Sequence, residues 1–337
     1  MKLPRGLNSL NKYLITTVSV CVIITTFLVT RNKQLSLPGH PSSQQNIEPQ
    51  GQENISVKLS PEIQSRIEKL ALFIGYSRSG HTLIGALLDA HPHIVISNEL
   101  DIFERWREWT DEERTRENLM NKIYENSYIQ TQDVGYRSAT KRNGRTYAVP
   151  NQWQGKYKDY IKVIGDKKGG KATKFFSRME EVANETLDEI NLPVKLIHMV
   201  RNPYDNIATM ILRSLKIPTQ DAIVSKKQIN NAKAMEYNLR TYLWGVKENY
   251  NLIQRFGSSV LTLHSEDVIA NPKEPLKKLC KFLEVTCTED YLNDCASIIY
   301  KSTSKSRRTI VWSYLYKQKV EEAINDIPFL RRYTFES

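Results

Sequence analysis

The chain has 337 residues, a formal net charge of +11 and 40% hydrophobic residues, the level of an ordinary globular protein. This length admits one large α/β domain or two small ones. The basic balance suits an anionic partner (nucleotide, sulfated or acidic glycan, nucleic acid or membrane surface) as well as a merely solvated basic face. There are four cysteines but no C-x-x-C pair and no His/Cys cluster, which argues against a zinc site, and no internal repeat is visible.

Residues 1–12 form a short basic tail. Tyr13 to Thr30, YLITTVSVCVIITTFLVT, is an uncharged apolar run near the lower limit for a membrane-spanning helix. Lys2, Arg5 and Lys12 precede it and Arg31 and Lys33 follow, a slight bias toward a cytoplasmic N-terminus. A cleaved signal peptide is the rival, but no small-x-small cleavage site follows the run. Residues 31–60 are rich in Gln, Asn, Ser and Pro and read as a disordered stem. Tail, signal-anchor, stem and luminal domain make the plan of a single-pass type II Golgi membrane enzyme. The sequons at Asn54 and Asn184 are compatible with a glycoprotein in that compartment. In an oxidising lumen one pair among Cys280, Cys287 and Cys295 can bridge, and Cys287 with Cys295, closing a short loop, is the expected pair.

From residue 61 onward the pattern alternates. LALFI, 70–74, is a continuous apolar run of the kind a buried parallel strand shows. Gly-rich GYSRSG follows, then HTLIGALLDAH with Leu83, Leu87 and Leu88 at helical spacing up to Pro92. IVIS, 94–97, is a second strand; a helix starts at Asp101, and residues 111–126 read as another helix. RNGR, 142–145, suggests a hairpin turn. YIKVIGDKK and VKLIHMV (194–200) supply further strands, the latter followed by a helix from about Tyr204. Residues 227–255 read as a long helix, SVLTLH (259–264) as a strand, and PKEPLKKLCKFLEV as an amphipathic helix. The expected fold is a single α/β domain over 61–337, a parallel sheet flanked by helices.

GYSRSGHT, 75–82, has the frame of a phosphate-binding loop, but His81 stands where the nucleotide triphosphatases carry lysine. Backbone N–H groups of Ser79, Gly80, His81 and Thr82 at a helix N-terminus can hold an anion without that lysine; an ordinary strand-to-helix turn is the bland alternative. A triphosphatase also needs a metal-binding Asp at the end of a second apolar strand. VKLIHMV ends instead in Arg201, which repels a metal and attracts a phosphate, and the loop has its own cation at Arg78. The expected ligand is therefore a nucleotide with separate anionic groups, bound without a metal.

These stretches carry a resemblance. FIGYSRSGHTLIGALLDAHP resembles the 5′-phosphosulfate loop of sulfotransferases that use 3′-phosphoadenosine-5′-phosphosulfate (PAPS), and MVRNPYDNIATMILR resembles their 3′-phosphate motif. The local match is closest to the tyrosylprotein sulfotransferases, with which LDAHP is shared, and carbohydrate sulfotransferases have the same two signals. The resemblance is strong over 72–101 and 194–214 and fainter over 161–170 and 259–312. It implies a PAPS-dependent sulfotransferase of P-loop type, releasing PAP and requiring no metal. By matching positions it implies Arg78 on the transferring sulfuryl group and Ser79, Gly80, His81 and Thr82 around the 5′-phosphate. Arg201, Thr209 and Arg213 fall to the 3′-phosphate, and Lys167, with Lys168 as its competitor, to the sulfuryl group. STSKSRR, 302–308, matches a segment that closes over the nucleotide, placing Ser304 and Lys305 there.

The acceptor hydroxyl must lose a proton as sulfur moves. Glu99 in ISNELD matches the family's catalytic glutamate; Asp101 is the second candidate, and a solvated or helix-capping carboxylate is the bland reading. His91 reads as structural and His81 as filling a loop position through its backbone. Asp101 occupies the place of an arginine that serves acidic peptide acceptors, and Ser265 the place of a tyrosine. Both departures favour a sugar hydroxyl over a peptide tyrosine, which stays the alternative. A P-loop kinase and a non-catalytic protein that binds PAP or acidic glycans are the rivals from other classes. No nucleic-acid partner is expected, and a homodimer stays open.

Overall fold

The computed structural model describes residues 57–132, 135–139 and 146–337. The expected anchor (13–30), most of the stem, the Asn54 sequon and the 142–145 turn lie outside them. Among the described residues no helix is long and apolar enough to cross a membrane.

Five strands form one parallel sheet: β1 (Lys69–Ile74), β2 (Ile94–Asn98), β3 (Val163–Lys167), β4 (Val194–Val200) and β5 (Val260–His264), in the order β2-β3-β1-β4-β5. Side chains alternate across it, as the strand period requires. Ala71 and Phe73 of β1 face a core formed with α2 (His81–Asp89), α11 (Lys273–Leu283) and α12 (Glu289–Ser297). Leu70, Leu72 and Ile74 face the opposite core, built with α3 (Ile102–Glu108), α4 (Arg116–Ile129), α5 (Gly169–Arg178) and α6 (Glu180–Ile190). A third cluster packs α7 (Pro203–Ser214), α8 (Thr219–Ser225), α9 (Ala232–Phe256) and α13 (Tyr314–Asp326) beyond β4. α1 (Pro61–Ser65) and α10 (Ser265–Ala270) complete the α-helices of the described residues. Sheet and flanking helices give the α/β class the alternation predicts.

Several boundaries move for local reasons. Leu59 is buried and Ser60 caps α1, so packing begins just before residue 61. The helix expected over 111–126 starts at Arg116, where the Thr115 side chain accepts from Asn118 N–H. The long helix starts at Ala232 rather than 227: Asn231 caps it, and Ile229 pairs instead with Ile310.

The disulfide expectation is corrected. Cys280 bonds Cys287. At the end of α11 the chain reverses through Glu284, whose φ is 59°, and Val285 N–H returns to the Cys280 carbonyl, bringing Cys287 back over the helix. Cys295 is buried on α12 with its sulfur toward the Leu87 carbonyl.

Asp89 of LDAHP shows why that stretch is a unit. Its buried carboxylate accepts from Ile96 N–H (2.7 Å), the Ser127 hydroxyl (2.7 Å) and Gly155 N–H (3.1 Å), and pairs with buried Arg137 at 2.6 Å. One side chain thereby ties α2 to β2 and α4, as a buried charge must be tied to many donors.

Candidate active site

The loop between β1 and α2 opens a cleft of about 960 Å³ at the C-terminal edge of the sheet, where open parallel sheets place their ligands. Thr173 of α5 accepts from Gly75 N–H (2.9 Å), and Asn206 of α7 donates to the Ser77 carbonyl (2.9 Å), so both sides of the loop are fixed. Gly80 caps α2 at φ 105°, with no side-chain cap and no acid in the first turn. This leaves the positive end of the helix uncompensated by protein charge.

His81 answers what replaces the lysine. Its imidazole turns inward, Nε2–H donating to the Ile74 carbonyl at 3.0 Å and Nδ1 lying 3.1 Å from Ser79 Oγ. It fills a slot between two glycines: a Cβ on Gly75 or Gly169 would come within 2.7 and 2.6 Å of the ring. Burial lowers its pKa to about 4, against the bond to Ile74, so it is neutral and brings the loop no charge. The sequence expectation that only its backbone matters is incomplete, because the ring is a packing element. The Ser79 hydroxyl is likewise turned in, toward the Tyr76 carbonyl at 3.0 Å. Cationic charge in the cleft comes from Arg78, which lines it in a left-handed conformation (φ 72°), from Arg201 and from lysines.

Lys167, at the end of β3, is 3% exposed, and its stem packs over Gly85 of α2. Its ammonium donates to Thr82 Oγ1 (3.3 Å) and Glu99 Oε1 (2.9 Å), while Lys168 donates to Glu99 Oε2 at 3.3 Å. Burial lowers the Lys167 pKa, opposed by Glu99. For Glu99, partial burial pushes upward, but Lys167 and Lys168 outweigh it and hold the carboxylate below its ordinary range. Asp101 does not join them: it turns to Lys171 at 3.6 Å, and burial raises its pKa. Of the two carboxylates, Glu99 lines the cleft and Asp101 does not.

At the other side of the loop, Arg201 donates to Thr209 Oγ1 (3.1 Å), Ser306 Oγ (3.3 Å) and the carbonyls of Arg78 (3.2 Å) and Ser304 (3.3 Å). Burial lowers its pKa, opposed by Asp205. Ser304 Oγ is buried and has no hydrogen-bond partner among the described residues, although Ser304 lines the cleft, and Lys305 lines it beside Ser304. Arg213, one turn beyond Thr209, is exposed and does not line the cleft.

Sequence reasoning missed Ser306, whose hydroxyl lies 2.9 Å from Thr209 Oγ1, and the pair that pins it. Arg307 donates to both Asp205 oxygens (3.0 and 2.5 Å), fastening the 304–309 segment to α7. The RR dipeptide inside STSKSRR was the only signal. His198 was also missed: it is buried on β4 against Phe329, its pKa lowered by burial to about 3. His91 is structural as expected, its Nε2–H donating to the Thr286 carbonyl at 3.0 Å. Among the described residues no group of three His, Cys, Asp or Glu side chains is placed to hold a metal.

The sequence matches the model of the sulfotransferase family over residues 72–290. The chain belongs to the sulfotransferase family. As a member it is a PAPS-dependent sulfotransferase, the enzyme class its loop and Arg201 predict. No curated protein matches this sulfotransferase in sequence. Among solved structures it is similar to the sulfotransferase domain of the Synechococcus olefin synthase (15% identity, 77% of this chain and 94% of that one, TM-score 0.47). It is also similar to the sulfotransferase domain from the curacin biosynthetic pathway (14%, 80% and 98%, TM-score 0.46). A third is mouse sulfotransferase SULT7A1 complexed with PAP (13%, 81% and 92%, TM-score 0.42).

Proposed function

We propose that this sulfotransferase moves the sulfuryl group of PAPS to a hydroxyl of a carbohydrate acceptor in the Golgi lumen, held in the membrane by residues 13–30 as a type II protein. The observation that carries the transfer reading is the division of one cleft. A glycine-built loop, whose His81 is neutral and whose charge is Arg78, separates an arginine–hydroxyl cluster (Arg201, Thr209, Ser306, with Ser304 Oγ unpartnered among the described residues) from a lysine–carboxylate cluster (Lys167, Lys168, Glu99). Two separated anion sites fit a nucleotide with a phosphate at each side of its ribose, and the orphaned Ser304 hydroxyl fits a phosphate partner.

In this reading Arg201, Thr209 and Ser304 hold the 3′-phosphate, and the amides of Ser79 to Thr82 hold the 5′-phosphate at the helix end. PAPS supplies an activated sulfuryl group whose sulfur–oxygen bond to phosphate is the one that breaks. Arg78 and Lys167 stabilise the charge that develops on that leaving side. Glu99 takes the acceptor proton, within reach of the same ammonium. The Lys167 bond to Thr82 keeps the ammonium beside the loop whichever partner Glu99 serves.

Two features support a sugar acceptor. Asp101, in the arginine's place, pairs with Lys171 and does not itself line the cleft, and Ser265, in the tyrosine's place, lies across from Gly80. Tyr147 and Tyr300, joined through their hydroxyls at 3.3 Å, line the cleft, and tyrosine rings offer both an apolar face and a polar edge to a sugar ring.

The test is transfer from PAPS to a panel of glycans and tyrosine peptides, with Glu99→Gln beside wild type. A glycan should accept, and Glu99→Gln should lower turnover by roughly 10²–10⁴-fold with PAP binding nearly unchanged. Transfer only to tyrosine peptides would replace the acceptor. PAP binding with no transfer to any hydroxyl would favour a binding protein, and transfer intact in Glu99→Gln would remove the base.

A further inference from the structure

The residue that fixes the base-bearing turn lies beside Lys167 on β3 and was given no role by the sequence. β2 ends at Asn98, and the chain then turns back over the end of β3. Glu99 and Asp101 both adopt left-handed backbones, φ 62° and 65°, although neither is glycine. Such conformations persist in non-glycine residues where the surroundings over-determine them.

Here a carboxylate does so. Asp166 is 2% exposed. Its Oδ1 accepts the Ser97 hydroxyl at 2.6 Å and Leu100 N–H at 3.2 Å, and its Oδ2 accepts Asp101 N–H at 2.9 Å. On the other side of Glu99, its own N–H donates to the Lys167 carbonyl at 3.1 Å. Three consecutive amides are thus held by two consecutive residues of β3. With the backbone pinned at both ends, the Glu99 side chain lies at the Lys167 and Lys168 ammonium groups.

We infer that Asp166 is a positioning residue, whose carboxyl group holds the 99–101 turn in its left-handed form and so aims Glu99 into the cleft. The inference rests on Glu99 being the base. Its chemistry suits two acceptor oxygens, because the Leu100 and Asp101 amides can only donate and each meets a different oxygen, while the Ser97 hydroxyl also reaches the Gly165 carbonyl at 3.2 Å. An asparagine amide would set an N–H against Asp101 N–H or, flipped, against Leu100 N–H. A carboxylate that served only the core would leave the turn indifferent to its replacement.

The test is Asp166→Asn, examined by crystallography, by calorimetric titration with PAP, and by turnover of PAPS with whichever acceptor the panel identifies. PAP affinity should stay within about twofold, since the groups assigned to it are elsewhere, while kcat falls by roughly 10²-fold with little change in KM for PAPS, the scale for a misplaced reacting group. The crystal structure should show residues 99–101 out of the left-handed region and Glu99 beyond ion-pair distance of Lys167. Adding Asp101→Gly, which removes the steric cost of positive φ, should restore about tenfold in kcat. A turn and a Glu99–Lys167 contact unchanged in Asp166→Asn would overturn the inference, as would a loss of kcat that Asp101→Gly does not rescue. Should Asp166→Asn fail to fold, Ser97→Ala removes one of the three donors and should show the same changes at about three- to tenfold in kcat. No change there would count equally against it. Failure of wild type to bind PAP would sink the donor assignment instead, while the crystallographic result on the turn stands by itself.

Discussion

Replacing Arg307 by methionine should both destabilise the domain and loosen the donor site, because one guanidinium does two things. It closes an ion pair with Asp205 in which the side chains are 4% and 2% exposed. It also donates to the Thr334 and Phe335 carbonyls (3.3 and 2.6 Å), tying the C-terminal residues to α7. Methionine keeps the length but leaves Asp205 as a buried charge facing one remaining donor, the residue 307 N–H at 2.8 Å. Breaking one partner out of such a pair costs about 3–5 kcal/mol. At about 2–4 °C per kcal/mol for a domain of this size, the melting temperature should fall by roughly 6–20 °C. The second effect follows from the chain itself. Ser304 and Ser306 meet Arg201 on a segment that Arg307 helps to hold down, together with the Ser306 bond to the Asp205 carbonyl and the Ile229–Ile310 bridge, so PAP binding should weaken by about 1–2 kcal/mol, the worth of one or two such bonds. Thermal denaturation with and without PAP, with Asp205→Leu/Arg307→Met beside the single variants, measures both. The double variant should recover stability relative to Arg307→Met, since no charge is left unpaired, but not PAP affinity. A single variant that melts within about 2 °C of wild type and binds PAP equally well would refute the argument.

Other outcomes follow from the same geometry. Arg201→Ala should weaken PAP binding by about 1–3 kcal/mol by calorimetry, whereas Arg213→Ala, lying outside the cleft, should change it little. His81 and His91, lowered by burial to about 4, and His198, lowered to about 3, bind fewer protons folded than unfolded below the ordinary value of 6.5. Stability should therefore fall as pH drops from about 6.5 toward 4, by up to about 4 kcal/mol per pH unit if all three take part. Urea titrations at stepped pH check this, and His81→Gln should flatten the slope by about a third. Peptide mapping without reduction should join Cys280 to Cys287, and Cys280→Ser/Cys287→Ser should lose about 2–3 kcal/mol for so short a loop. Cys295, whose thiol burial pushes up to about 12, should react with iodoacetamide only after unfolding.

The sequence by itself determined the strand–loop–helix unit at 70–89, the sheet's parallel character and the two arginine-bearing stretches. These are local: a continuous apolar run, glycines at fixed offsets and a helical period all act within a dozen residues. The end of an apolar strand nominated Arg201 and the family resemblance nominated Glu99, Lys167 and Thr209, and the fold does bring Glu99 to Lys167 and Arg201 to Thr209. What only the tertiary structure decided depends on residues far apart in the chain. Whether Glu99 or Asp101 faces the cleft is set by Asp166, 65 residues from Asp101, through a strained turn that no propensity announces. Which cysteine pairs with Cys280 is set by a chain reversal after α11, and whether Arg213 reaches the cleft by how far α7 runs past its mouth. His81 kept the lysine's place in the sequence, but only packing between Gly75 and Gly169 showed its ring to be a neutral wedge. A pattern of residue types specifies which backbone a segment adopts; the direction and charge of a side chain are fixed by what burial leaves around it.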